Sequence, residues 1–239
     1  MNISLFAFQC VYLLHYREEN VIGLMSMFKA ELDSFTQFLK RYGREAFIII
    51  FATLFITLDS YHPIGNEWQS TFLYFAVFPI LVILIILRKN PLDFGLRLGS
   101  PRIWGFWVGV ICLAAAVILY ASSFAPSLQS YYRTNDFKIL SYFLTSCVSL
   151  CASEFMYRGF LLFGLKEKFQ EGSILLQMIP FALLHLGKPE LETVSTLLTG
   201  ILFGYVAYRG KSYWPAFIIH LFINIFFVVL INIKYPLHV

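Results

Sequence analysis

Polar side chains recur at a spacing of four residues within stretches that are otherwise apolar enough to be membrane helices. Ionisable groups are costly in hydrocarbon, so those that persist usually face a bundle interior and do chemistry. A spacing of four places both members of a pair on one helix face. Each pair also lies roughly 8–12 residues from the predicted cytosolic end of its helix, which indicates a similar depth. The residues are Glu154 with Arg158, His185 four residues after Phe181, and His220 with Asn224.

These side-chain types are those of a hydrolytic centre. A carboxylate and two imidazoles supply a base and a proton donor, and an amide supplies a neutral donor for an oxyanion. Glu154, His185 and His220 are equally the ligand types of a zinc site that keeps a water in the fourth position. Spacing does not choose between the two, because the residues come from different helices. The non-catalytic alternatives are a structural ion pair at Glu154 and a histidine that only bonds a neighbouring helix.

Cysteine offers another nucleophile. Cys151 precedes Glu154 by three residues, Cys147 lies one turn earlier, and either thiol could pair with His185. Buried cysteine in a membrane helix is more often a packing residue, so a Cys–His pair is the less favoured interpretation. The four cysteines have no CxxC spacing and indicate no disulfide framework.

The composition is that of an integral membrane protein. Of 239 residues, 59% are hydrophobic and only 13% charged, against about 25% charged in soluble domains. The small net charge of +4 gives no nucleic-acid footprint. We therefore predict an all-α, polytopic helical bundle in which seven to eight transmembrane helices enclose a polar cavity. The predicted spans are 46–61, 70–87, 103–124, 142–165, 173–187, 194–208 and 213–233.

The N-terminal region has a different pattern. Residues 3–14 form an apolar run too short to span, and residues 24–42 alternate apolar and charged positions at helical spacing, which is typical of a helix on the membrane surface. Met25 is a second candidate start for the chain. The predicted organisation is residues 1–45 as this N-terminal part, 46–137 as N-terminal transmembrane helices and 138–235 as the catalytic core.

Basic residues predict the orientation. They concentrate before residue 46, between 87 and 103, after 165 and before 213, whereas the segment 59–69 carries Asp59 and Glu67 without Lys or Arg. Since cytosolic loops carry an excess of Lys and Arg, these four basic segments are predicted in the cytosol. The segments 59–69, 125–141 and 188–193 are then predicted outside.

The three motifs in this order resemble those of the CAAX prenyl protease and bacteriocin-processing (CPBP, or Abi) intramembrane endopeptidases. The similarity covers about residues 140–235. The motifs are Glu154-xxx-Arg158-Gly159, Phe181-xxx-His185 and His220-xxx-Asn224, with supporting positions at Gly200, Gly204-Tyr205, Tyr208-Arg209 and Ser212-Tyr213-Trp214-Pro215. The resemblance implies a fold of about eight helices around a conical, cytosol-accessible cavity.

The resemblance also implies residue roles. Glu154 and His185 would polarise a water, His220 and Asn224 would stabilise the tetrahedral oxyanion, and Arg158 would hold the first motif together. The family's first motif commonly has two adjacent glutamates, of which the first is usually assigned as catalytic, and this chain has Ser153 there. Either Glu154 takes that role or catalysis is impaired. In the loop after His185, Glu190 and Glu192 are expected to be solvated, with the cavity mouth as the alternative.

The predicted function is hydrolysis of a peptide bond near the C-terminal or membrane-proximal end of a substrate that has a membrane-associated segment. The predicted place is the cell membrane, crossed several times (the cytoplasmic membrane if the source is bacterial), with the lipid bilayer as partner and zinc as the one candidate cofactor. The alternative is a non-catalytic relative that serves in bacteriocin immunity or as a scaffold. A proton-coupled transporter is disfavoured because the polar residues cluster in the C-terminal half without an inverted repeat.

Overall fold

The computed structural model describes residues 3–135 and 137–236, with side chains described at residues 21, 23–135 and 137–236. Its helices are numbered here in chain order. They are α1 Ile3–Tyr61, α2 Glu67–Ile86, α3 Pro101–Ser122, α4 Pro126–Tyr132, α5 Ile139–Phe169, α6 Gly172–Leu183, α7 Glu190–Gly210 and α8 Trp214–Lys234, with a short 3₁₀ turn at Pro91–Phe94.

The predicted all-α membrane bundle is confirmed. Within the described residues, α2, α3, α5, α7 and α8 are long and apolar enough to cross a membrane, and α6 is a shorter apolar helix. The number of crossings, predicted as seven to eight, stays a prediction.

Helix α1 replaces three segments that the sequence pattern separated. It contains the short run 3–14, the amphipathic stretch 24–42 and the predicted span 46–61. Proline, which would break a helix, does not occur between Ile3 and Tyr61. The chain divides into two compact units, Met1–Ala46 and Phe47–Val239. In the first unit the described apolar side chains from Val21 to Leu39, Leu24 and Phe28 among them, are exposed.

Helix α5 changes its winding next to the first motif. The α-helical turns end at Glu154, and the seven residues from Phe155 to Leu161 form a π-helix before α-helical turns resume at Leu162. Segments of π-helix occur frequently at functional sites. All seven residues are buried, Arg158 included.

Helices α6 and α7 form a tightly packed antiparallel pair. A Cβ placed on Gly200 would lie 2.8 Å from Met178 Cγ, and one placed on Gly204 would lie 2.4 Å from Gln177 Nε2. This small-xxx-small spacing is how membrane helices approach closely. Gln177 Nε2 also donates across the interface to the carbonyl of Gly200 at 2.9 Å. The connecting turn, residues 184–189, carries His185.

Helix α8 completes the site by packing against α3, α5 and α7. The loop that precedes α3 lies against the loop that precedes α8: Tyr213 N donates to Gly95 O at 3.0 Å, and Trp214 Nε1 donates to Leu96 O at 3.0 Å. Gly95 has a φ of +83°, which glycine adopts without strain. These contacts fix the start of α8, and with it the height of His220 in the bundle.

Candidate active site

Glu154 is the centre of the polar cluster. Its side chain is fully buried, and its Oε1 accepts hydrogen bonds from Arg158 Nη1 at 2.9 Å and from His220 Nδ1 at 2.7 Å. An ionised carboxylate can only accept, so Nδ1 of His220 carries the proton and Nε2 of the neutral ring has a free lone pair. The other carboxylate oxygen, Oε2, is buried and has no hydrogen-bond partner among the described residues.

Arg158 neutralises this carboxylate inside the bundle. The guanidinium carbon lies 4.1 Å from the ring centroid of Phe181 and 5.2 Å from that of Phe203, both within cation–π range. Its Nη2 also reaches the carbonyl of Gly200 at 3.5 Å. The side chain is fully buried. Arg158 therefore stabilises the charge of Glu154 and fixes its position.

His185 takes its orientation from the end of α6. The sequence pattern placed it within a helix at 173–187, but α6 ends at Leu183, in advance of Gly187 with its φ of +92°. The last turn tightens, so that His185 N donates to Ala182 O at 3.0 Å instead of to the carbonyl four residues back. That carbonyl, Phe181 O, lies 2.8 Å from His185 Nδ1. Because a carbonyl only accepts, Nδ1 carries the proton and Nε2 is an acceptor.

The amide oxygen of Asn224 already accepts a hydrogen bond. Tyr142 of α5 donates its hydroxyl to Asn224 Oδ1 at 2.8 Å, which leaves the Nδ2 amine for another acceptor. Sequence reasoning missed Tyr142. It lies 82 residues from Asn224, and no spacing rule pairs residues on separate helices.

A cavity of about 420 Å³ joins these groups. His185, His220 and Asn224 line it, and the Phe181 ring lies between the two imidazoles, 4.8 Å from one centroid and 5.9 Å from the other. Glu154 lies behind His220 and is not itself part of the wall. The remaining wall is mostly apolar and comes from α3, α7 and α8; it includes Val110, Ile111, Ala114, Ala115, Ile118, Leu202, Phe203 and Ile223.

A second polar cluster lies at the other end of the cavity. Lys188 Nζ donates to Glu192 Oε1 at 2.9 Å, and the Tyr132 hydroxyl donates to Glu192 Oε2 at 2.5 Å. Burial and the neighbouring carboxylate raise the pKa of Tyr132, which keeps its hydroxyl protonated as a donor. Glu190 is exposed in the first turn of α7, as a solvated residue would be, whereas Glu192 lines the cavity. The favoured expectation for Glu192, a solvated loop, was therefore wrong.

The three predicted zinc ligands do not form a ligand set. No group of three His, Cys, Asp or Glu side chains within the described residues is arranged to hold a metal ion. Glu154 Oε1 instead accepts from Arg158 and from Nδ1 of His220. The carboxylate thus contacts the ring of His220 directly.

The alternative Cys–His pair is not supported by the positions of the two cysteines. The sulfur of Cys151 lies 3.3 Å from the hydroxyl of Tyr213, and neither Cys151 nor Cys147 lines the cavity that holds His185. Cys151 is therefore a packing residue within the bundle.

Residues 135–226 match the family model described as type II CAAX prenyl endopeptidase, Rce1-like. No curated protein and no solved structure matches the chain. The matched range contains all three motifs. The match confirms the resemblance to the CPBP family that these motifs indicated. A family of this kind supports a protease activity in a membrane setting, with a protein as substrate.

Proposed function

Because residues 135–226 belong to the CPBP family of CAAX-type endopeptidases, we propose that this chain is an intramembrane endopeptidase. It hydrolyses a peptide bond near the C-terminal or membrane-proximal end of its substrate. The observation that carries the proposal is the 2.7 Å contact between Glu154 and His220 at the wall of a cavity that also presents His185 and Asn224. Three groups from the α6–α7 turn and α8 thus line one volume, and Glu154 of α5 acts on it through His220.

His220 is the general base. With Nδ1 donating to Glu154, its Nε2 is the nitrogen that can take a proton from water, and the carboxylate stabilises the imidazolium that forms. His185 presents a second Nε2 acceptor to the same cavity and orients the water. This differs from the roles implied by the resemblance, in which His220 stabilises the oxyanion: a neutral ring bonded in this way has no N–H left to donate.

Asn224 supplies the oxyanion donor. Its Nδ2 faces away from the Tyr142 bond and can donate to the carbonyl oxygen that becomes negative when water attacks. As the tetrahedral intermediate collapses, the proton held on His220 Nε2 passes to the departing amine nitrogen. The products are a peptide with a new carboxylic acid and a peptide with a new amine, which become a carboxylate and an ammonium group by transfer of one proton, so atoms and charge balance.

Ser153 does not leave the site incomplete. The carboxylate that contacts both Arg158 and His220 belongs to Glu154, and a serine hydroxyl cannot act as a general base at neutral pH. This supports Glu154 as the functional carboxylate in a first motif with a single glutamate. It argues against the non-catalytic alternative, which rests on Ser153.

The test is cleavage of a quenched-fluorophore library of apolar peptides by purified protein in liposomes. Glu154→Gln, His185→Ala and His220→Ala should each lower the rate by about 10²-fold or more, since general acid–base catalysis contributes about 10²–10⁴-fold. Ser153→Ala is the matched control and should keep a rate within twofold of the wild type. Equal rates for Glu154→Gln and the wild type would remove Glu154 from the mechanism. Binding of peptides without cleavage by the wild type would favour the immunity or scaffold function.

A further inference from the structure

One wall of the cavity carries a row of hydroxyl groups. Ser195, Thr196 and Thr199 of α7 all line the cavity, and Ser195 and Thr199 are the two more exposed. Each hydroxyl donates its proton to a carbonyl of its own helix: Ser195 to Glu192 O at 2.7 Å, Thr196 to Thr193 O at 2.6 Å and Thr199 to Ser195 O at 3.2 Å. An oxygen whose proton is used in this way can only accept any further hydrogen bond.

Other polar groups of the wall are acceptors too. His185 and His220 keep Nε2 as an acceptor, and Glu192 is a carboxylate. Asn224 supplies a donor on the same helix as His220, and Lys188 supplies one at the other end of the cavity. Between these ends the α7 wall suits a ligand that brings N–H donors of its own.

An extended peptide is a ligand of this kind. A peptide N–H in an apolar cavity costs free energy unless it finds an acceptor, and an extended chain, unlike a helix, cannot supply that acceptor itself. The N–H groups on one edge of an extended chain recur every two residues, about 6.6–6.8 Å apart. Ser195 and Thr199 are four residues apart on a helix, which is a rise of about 6 Å. The two hydroxyls therefore match two N–H groups on one edge of a strand.

The row of hydroxyls leads to the proposed catalytic centre. Thr199 precedes Phe203 by one helical turn, and the ring of Phe203 lies 5.4 Å from the ring of His220. In the other direction the row ends at Glu192. From Glu192 to Phe203 the helix rises about 16 Å, the length of about five residues of extended chain.

Helix α3 supplies an apolar wall to the same cavity. Its lining residues include Ile111, Ala114, Ala115 and Ile118. Successive side chains of an extended peptide point to opposite faces, while its N–H groups lie along the edges. A peptide bonded to α7 along one edge can therefore place apolar side chains against α3.

We propose that Ser195 and Thr199 bind backbone N–H groups of the substrate and hold it along α7 as an extended segment with apolar side chains. The two hydroxyls then select a segment that is not helical, because the N–H groups of a helix are already bonded. That the occupant is a substrate, with its scissile bond at His220, rests on the proposed function. Its extended binding along α7 does not.

The test is equilibrium binding of a dye-labelled peptide of alternating alanine and valine, measured by fluorescence anisotropy in detergent micelles. A second peptide has the same sequence with every peptide nitrogen methylated, which removes the N–H donors and keeps the apolar side chains. Comparison of the two peptides separates hydrogen bonding to the wall from apolar contact.

The variants are Ser195→Ala, Thr199→Val and the two combined. Thr145→Val is the matched control, because the Thr145 hydroxyl also donates to its own helix, at Ser141 O, but does not line the cavity. All are made in the Glu154→Gln chain to keep the peptide whole, since Glu154 is not part of the cavity wall. If that chain fails to accumulate, the wild-type background is used with mixing times shorter than turnover.

Without changes to the wall, the unmethylated peptide should bind about tenfold or more tightly than the methylated one, as two hydrogen bonds of ordinary net strength provide. Each single variant should weaken binding of the unmethylated peptide by about threefold to tenfold, and the double variant by about tenfold or more. Binding of the methylated peptide should stay within about twofold in all variants, because its N–H groups are gone. Where the double variant fails to accumulate, the single variants give the same comparison.

Equal binding of the two peptides by the unsubstituted wall would overturn the inference, and is the result expected for a helical occupant. A double variant that binds the unmethylated peptide as tightly as Thr145→Val does, or that loses both peptides equally, would also overturn it. Because binding needs no cleavage, the two proposals fail separately. A chain that binds through these hydroxyls but does not cleave with Glu154 restored would contradict the proposed function alone.

Discussion

At the scale of single residues, hydrogen bonds decide which nitrogen of each histidine is free. The ionised Glu154 and the carbonyl of Phe181 can only accept, so both imidazoles hold their proton on Nδ1 and keep Nε2 as an acceptor, and both residues line the cavity. Two acceptors facing one volume suit the activation of a water. They leave the oxyanion to a different donor, and Asn224 is the amide in the same wall.

The Tyr142–Asn224 contact predicts a graded loss of activity. Asn224→Ala removes the oxyanion donor and should lower kcat by about 10²–10³-fold, in line with the loss of one such donor elsewhere. Tyr142→Phe keeps the amide but frees it to rotate, and should lower kcat by about tenfold with KM within twofold. Steady-state kinetics on a peptide cleaved by the wild type measures both. Equal losses in kcat for the two variants would contradict the positioning role of Tyr142.

The Glu154–Arg158 pair makes a prediction about stability. Arg158→Met leaves a buried carboxylate without its cation and should lower the free energy of unfolding by about 3–5 kcal/mol. The double variant with Glu154→Gln removes both charges and should recover at least half of that loss, while remaining inactive. Chemical denaturation in detergent micelles measures both. A double variant no more stable than Arg158→Met alone would show that the aromatic contacts of Arg158, not its charge pairing, dominate.

At the scale of helices, hydropathy predicted well the two long helices that carry Glu154 and His220. The predicted spans 142–165 and 213–233 correspond to α5 at Ile139–Phe169 and α8 at Trp214–Lys234. The predicted span 194–208 began four residues too late, because the charged residues at the start of α7 were assigned to the preceding loop. Glu190 and Glu192 in fact form its acidic first turn, a favourable position at a helix N-terminus.

Which helix faces meet could not be predicted from the sequence. These helices are apolar around most of their circumference, so periodicity does not identify the buried face. The Glu154–Arg158 pair was predictable because it lies within one helix. The contacts of Glu154 with His220 and of Tyr142 with Asn224 depend on how α5 and α8 pack, and so do the α3 residues of the cavity wall.

The close packing of α6 on α7 makes a prediction at this scale. A methyl group at Gly204 would lie 2.4 Å from Gln177 Nε2, which must then give up its bond to Gly200 O or push the helices apart. Gly204→Ala should therefore lower the free energy of unfolding by about 1–3 kcal/mol, the usual cost of overpacking.

Gly109→Ala is the matched control for this change. It lies in α3, another apolar helix, and an added Cβ there would meet no atom within 4 Å. Since alanine favours helix over glycine, Gly109→Ala should leave stability unchanged or slightly raised. Denaturation midpoints that fall equally in both variants would show that the effect does not come from the α6–α7 contact.

At the scale of the whole molecule, the chemistry is confined to one of the two units. Every residue of the proposed centre and every residue that lines the cavity belongs to Phe47–Val239. The aromatic and aliphatic core that surrounds Arg158 also lies within that unit. In the first unit, Met1–Ala46, the described part has exposed apolar side chains and none of its residues is among those that line the cavity.

This division predicts that a chain begun at Met25, the second candidate start, is active. The shortened protein keeps all of Phe47–Val239, so its peptide-cleavage rate per molecule in liposomes should stay within twofold of the full chain. Its free energy of unfolding should change little, because the buried core residues belong to the unit Phe47–Val239, which is kept whole. The control is the same truncation carrying Glu154→Gln, which should be as inactive as the full-length variant. A loss of cleavage by the truncated chain, at unchanged amounts in the membrane, would show that residues 1–24 act on the catalytic unit.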